Sequence, residues 1–175
     1  SNDKVYFFAE NRDGEDAFIF ESDTSKIDIV AGSVGPGGYS DTDENQAALG
    51  AGLETVFQVT EDASGDLLIF ENQRIRKISL TTEALEPKIS TVLDFSHIAN
   101  FPVSKTIRDM VYDASTSTVY FSCSDATVYK ASLVAGASQY DFSGTSLSGT
   151  IRLALIPDHL LVLQTERDRI LAVER

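Results

Sequence analysis

The chain has 175 residues, 27 Asp and Glu against 14 Lys and Arg, and a formal net charge of −13. That balance repels a phosphate backbone, whose binding depends on Lys and Arg displacing counterions, so nucleic acid is excluded as a first partner. The length suits one hydrophobic core, the single cysteine, Cys123, permits no intrachain disulfide, and no apolar run approaches the 18 residues of a membrane helix.

Taken in chain order, short apolar and β-branched runs predict strands at 4–10, 17–22, 26–32, 55–61, 66–71, 74–80 and 88–95. They continue at 106–113, 117–123, 127–133, 139–143, 150–156, 159–164 and 169–174. Clusters of Gly, Asn, Asp and Ser separate them, the residue types that make tight turns. No segment keeps a helical period, although 43–52 could form one short turn. The chain is expected to be all-β.

The order of the strands repeats. "TVFQVTED" from Thr55, "TIRDMVYD" from Thr106 and "TIRLALIPD" from Thr150 each open with Thr and a β-branched residue, end at an Asp, and are followed by a turn and a second apolar strand. A polar hinge and a third strand come next. Sheets that return every 40 to 50 residues have the period of β-propeller blades, which bury their faces against one another.

"GDLLIFENQRIRKISL" (65–80) resembles the NHL repeat, with its turn glycine, apolar strand, polar hinge and Arg-Ile-Arg-Lys-Ile strand. Upstream, "IDIVAGSVGPGGYSDTDENQAALGAGLETVFQV" is similar to that family's outer strand, glycine-rich loop and Ala-Ala-Leu segment. The likeness fades beyond Leu80. Kelch and WD repeats fit less well, because tryptophan is absent and there is one Gly-Gly pair.

The resemblance implies a single partial β-propeller domain over 1–175, with NHL-like four-stranded blades near 4–32, 55–95, 106–143 and 150–174. That is three and a half to four blades, read as a segment of a larger propeller that further blades or self-association would complete. A compact four-bladed ring, closed by "KVYFFAE", is the alternative layout. In either layout the third strand of the 55–95 blade lies near the rim. The heads of Arg74, Arg76 and Lys77 are then expected to reach water, so that Arg76→Ser costs little while Ile75→Asp unfolds the blade.

Chemical motifs are sparse. His97, His159 and Cys123 stand apart in sequence, so no metal site is expected. "DTDEN" (41–45) starts like a calcium loop but has Gln46 and Gly52 where Gly and Glu are needed. "GSVGPGG" (32–38) lacks the Lys-Ser/Thr of a phosphate loop, and "GTSLSG" (144–149) lacks the spacing of a nucleophile elbow. No catalytic residue, metal or cofactor is therefore assigned.

The remaining constellation is Arg108, Asp109 and Arg152. The two arginines hold the same place in two copies of the inner strand, and in a propeller they would converge at the mouth of the channel as a ligand-binding group. The structural alternative is that these side chains only satisfy one another or backbone carbonyls. The resemblance implies a noncatalytic scaffold for protein–protein interaction, outside the cytoplasm, presenting the loops 33–53 and 96–104. Its competitor is the partial ring of a propeller enzyme, of amidating-lyase or lactonase type, whose metal ligands would lie in other blades.

Overall fold

The computed structural model describes residues 4–10, 17–22, 26–33, 46–71, 74–80, 86–95, 106–133 and 147–174. The described residues form fourteen strands and one short 3-10 turn, Thr165–Arg167. Thirteen of the expected strands are present. The fourteenth, at 139–143, lies outside the described residues, as do 41–45, 96–104 and His97. No helix among the described residues is long and apolar enough to cross a membrane.

Two compact units divide the chain, residues 1–92 and 93–175. In the first, β1 (Val5–Glu10), β2 (Ala17–Ser22) and β3 (Ile27–Ser33) make one antiparallel sheet. A second sheet has the order β4-β8-β7-β6-β5, built from β4 (Gln46–Ala47), β5 (Val56–Glu61), β6 (Leu67–Glu71), β7 (Arg74–Ser79) and β8 (Lys88–Asp94). β1, from the "KVYFFAE" segment, pairs with β2 as the edge of the first sheet. The core of this unit holds Ile19, Val30, Ala31, Val56, Leu67, Ile69, Ile78 and Ile89.

Residues 46–51 depart from the expected helical turn. Gln46 and Ala47 pair with Ile89 and Lys88, and Leu49 forms a parallel bridge with Gly32. The Gly32 amide donates to the Ala48 carbonyl at 3.1 Å, and the Gly50 amide returns a bond to the Gly32 carbonyl at 2.8 Å. Gly32 does this at φ 113°, where a side chain would be strained. Backbone pairing with two sheets outweighs the weak helical preference of a short Ala-Ala-Leu run, which cannot nucleate a helix alone.

The second unit contains β9 (Ile107–Asp113), β10 (Thr118–Cys123) and β11 (Val128–Ser132) in one antiparallel sheet. A second sheet is made of β12 (Ile151–Ile156), β13 (His159–Gln164) and β14 (Arg169–Glu174). Their facing sides share a core of Tyr120, Val128, Ile151, Leu153, Leu160 and Val162. β10 is buried along its whole length, as β6 is in the first unit, which explains why both read as solid apolar runs rather than alternating ones.

The Asp that ends each inner strand is a turn residue. Asp62 accepts from the Ser64 and Asp66 amides at 2.7 and 3.1 Å, and Asp113 accepts from the Ser115 amide at 3.0 Å. Asp158 occupies the left-handed region at φ 71°. Lys77 bridges Asp62 and Asp66 at 3.0 and 2.7 Å. Partial burial opposes ionisation of Asp62, but the hydrogen bonds from Lys77 and the two amides prevail and hold its carboxyl below the ordinary value.

The expectation that Arg74 and Arg76 reach water is overturned. Arg76 is fully buried, and one guanidinium nitrogen donates to the Gly52 carbonyl at 2.7 Å and stands 3.7 Å from the Glu71 carboxylate. Arg74 is 5% exposed and donates from Nε to Glu71 at 2.7 Å. β7 is covered on both sides, so its alternation does not mark a wet face. The charges are instead met internally by Glu71, three residues before Arg74 and five before Arg76, and by Glu54 at 3.5 Å from Arg74. Only Lys77 keeps part of its surface in solvent.

Candidate functional site

The strand starts of the second unit set the site. β9 begins at Ile107 and β12 at Ile151, and these two first strands run beside each other. Arg152 donates to the Arg108 carbonyl at 3.3 Å, while the Leu153 amide donates to the Asp109 carboxylate at 2.8 Å. The second oxygen of Asp109 accepts from the Met110 amide at 3.1 Å. The structure thus brings all three sequence-predicted residues together.

Their roles differ. Asp109 is half-buried and its two oxygens are engaged by backbone amides, so it ties β9 to β12. An Asp109→Ala chain is expected to lose about 1–2 kcal/mol of stability, since the Leu153 amide loses its partner. Urea unfolding against the parent chain measures this, and an unchanged midpoint would contradict it. Arg108 and Arg152 are exposed, and both line one cleft of about 700 Å3.

The rest of that cleft was not legible as a site from sequence. Ser124, Ser148, Thr150 and Glu166 join the two arginines in its wall. Ser124 lies in the β10–β11 turn, where its amide donates to the Thr106 carbonyl at 2.9 Å. Ser148 and Thr150 lie on the approach to β12, and the Thr165 amide closes on the Thr150 carbonyl at 3.2 Å. "GTSLSG" reads as an ordinary turn, and nothing in it announces that it ends beside Arg108. The available signal is positional: hinge residues that follow second strands come to the same end of the sheets as the residues that begin first strands.

Gly149 sits at φ 76°, and a Cβ there would overlap the Glu166 side chain. A glycine at this point therefore lets Glu166 close over the strand entry. The cleft offers guanidinium donors, hydroxyls and one carboxylate, a set suited to binding a carboxylate or a polar backbone segment. Cys123 is buried. His159, half-buried at the start of β13, borders a separate hollow with Asp158 and Glu174. Among the described residues no three His, Cys, Asp or Glu side chains gather closely enough to hold a metal ion.

No protein-family model matches the chain, and no curated protein matches its sequence. Among solved structures it is similar to the β-propeller domain of Cps50 (Swd1) from Myceliophteria thermophila. The TM-score is 0.61 at 13% identity, covering 98% of this chain and 54% of that one. It is also similar to Hsv2 from Kluyvelomyces marxianus, with a TM-score of 0.49 at 10% identity, covering 97% of this chain and 54% of that one. The chain spans about half the length of these structures. With the four antiparallel sheets, the likeness to the Cps50 domain gives the fold: an all-β chain with part of a β-propeller.

Proposed function

We propose that the chain is a segment of an NHL-like β-propeller acting as a noncatalytic scaffold for protein–protein interaction, with blades near 4–32, 55–95, 106–143 and 150–174. Its contact point is the cleft that carries Arg108 and Arg152. The observation behind this reading is that two exposed guanidinium groups, 44 residues apart in the chain, open onto one hollow beside Ser124, Ser148 and Thr150. Arginine is over-represented among residues that dominate interface energies, because its planar fork pairs with carboxylates and its stem still packs. A partner carboxylate, at a side chain or a chain end, matches that donor set.

The test is a peptide array probed with the whole chain, comparing the parent with an Arg108→Met, Arg152→Met double variant. Both arginines are exposed, so the variant is expected to fold with stability within about 0.5 kcal/mol of the parent. Carboxylate-bearing peptides retained by the parent should be lost or weakened at least tenfold in the variant. Equal retention by both chains, or no peptide retained by the parent, would overturn the assignment.

A further inference from the structure

The cleft of the second unit carries both signs of charge. Its wall holds Asp125 and Glu166 as well as Arg108 and Arg152. In each sheet of this unit the arginine is the second residue of the first strand, and the acid lies in the hinge between the second and third strands. Neighbouring strands stand about 4.8 Å apart, so such a hinge is centred one and a half spacings, about 7 Å, from the first strand. The cleft is therefore positive along β9 and β12 and negative along the two hinges.

These charges do not cancel one another. Among the described residues none of Arg108, Arg152 and Glu166 has an ion-pair partner. Arg152 gives one nitrogen to the Arg108 carbonyl at 3.3 Å, and the rest of its fork stays available. Asp125 is committed to its own turn, where Oδ1 accepts from the Thr127 amide at 3.2 Å. Glu166 is exposed and has no such tie. Because Gly149 has no Cβ, the Glu166 side chain lies back against the entry to β12, within the cleft wall.

Two electrostatic conditions then act on any occupant. The arginines call for a carboxylate, yet the chain's net charge of −13 repels a ligand with several of them. Glu166 sharpens this locally, since it repels a second acid and attracts a base. An occupant that meets both conditions carries one charge of each sign, spaced as the cleft spaces its own.

We infer that the partner segment is an extended peptide with an acidic and a basic residue two positions apart, the acid on Arg108 and Arg152 and the base on Glu166. The inference rests on the cleft being the protein contact point. In an extended chain, residues two apart point the same way and lie about 7 Å from each other, which matches the step from first strand to hinge. Hydroxyls of Ser124, Ser148 and Thr150 in the same wall supply hydrogen-bond partners for the peptide backbone. Glu166 is thereby the residue that sets specificity.

Anisotropy titrations with labelled, end-capped peptides test the motif. Each peptide retained by the parent chain on the array is remade in four forms, Glu-x-Lys, Glu-x-Glu, Glu-x-Gln and Gln-x-Lys, so that only two positions vary. The parent should prefer Glu-x-Lys to Glu-x-Gln by about fivefold, the upper range for an exposed charge pair, and should bind Glu-x-Glu more weakly than either. Glu166→Gln should erase the preference for Lys over Gln while binding Glu-x-Gln as the parent does, which shows that its cleft is intact. Glu166→Lys should invert the order and bind Glu-x-Glu best. A Glu166→Gln chain that keeps the Lys preference, or a parent that binds Glu-x-Glu as tightly as Glu-x-Lys, would overturn the motif and leave the arginine contact standing. Gln-x-Lys bound as tightly as Glu-x-Lys, binding that survives loss of both arginines, or an array that retains nothing would remove the contact point and the motif with it.

Discussion

Arg76→Ser is expected to cost about 3–5 kcal/mol, enough to abolish most of the stability of a domain this size. Serine removes the cation 3.7 Å from a Glu71 that is itself 0% exposed, and leaves the Gly52 carbonyl without its donor. Burial already pushes the Glu71 carboxyl up, against the pull of Arg76, Arg74 and the Glu54 amide. Without Arg76 it rises further. A carboxyl whose folded-state pKa lies above its unfolded one binds more protons when folded, so the variant should lose stability as pH climbs past the ordinary carboxylate range. Melting curves at pH 4.5 and pH 7 test both parts, with a steeper fall expected in the variant than in the parent. An Arg76→Met, Glu71→Gln double variant should recover part of the loss, because the neutral glutamine needs no counter-charge and Arg74 keeps the Glu54 carboxylate at 3.5 Å. A single variant that melts with the parent at both pH values would refute the account.

Phe121→Ala is expected to cost about 3–5 kcal/mol in the second unit. Phe121 is fully buried on β10, stacked on Tyr129 with ring centres 5.3 Å apart and tilted against Phe95 at 4.9 Å. Alanine removes the middle ring of three, and β10 lies too deep for the flanking strands to collapse inward. Phe121→Leu keeps most of the volume and should cost less than half as much. Urea midpoints for the two variants provide the comparison. Equal losses would show that aromatic geometry, rather than filled volume, is what the site requires.

The contrast between these two residues shows what the sequence discloses. Phe121 lies in "TVYFSC", a largely apolar run buried along its whole length, and thirteen expected strands, alternating or apolar, are present where the sequence placed them. Arg76 lies in "RIRKIS", where alternation is compatible with a wet face or with internal ion pairing. The choice depends on Glu71 and Gly52, the latter 24 residues away, and periodicity carries no information about either. β4 escaped for a related reason, since its two residues become a strand only because β8 is alongside. In the candidate site, the two arginines were legible because the inner strand recurs, whereas Ser148 precedes that repeated strand and Thr150, though it recurs as Thr55 and Thr106, carries no sign in sequence that it lines a cleft.

The stitching of Gly32 to Ala48 and Gly50 bears on how the first unit comes apart. Main-chain atoms make those links, so changing the side chains of Gln46 or Leu49 leaves them standing, whereas bulk added at the fully buried Ala48 or Ala51 wedges them open. Sheets joined in this way should exchange their amide hydrogens in one concerted event instead of peeling strand by strand. Tolerance to drift is thereby concentrated in the large residues of the segment and withheld from the smallest.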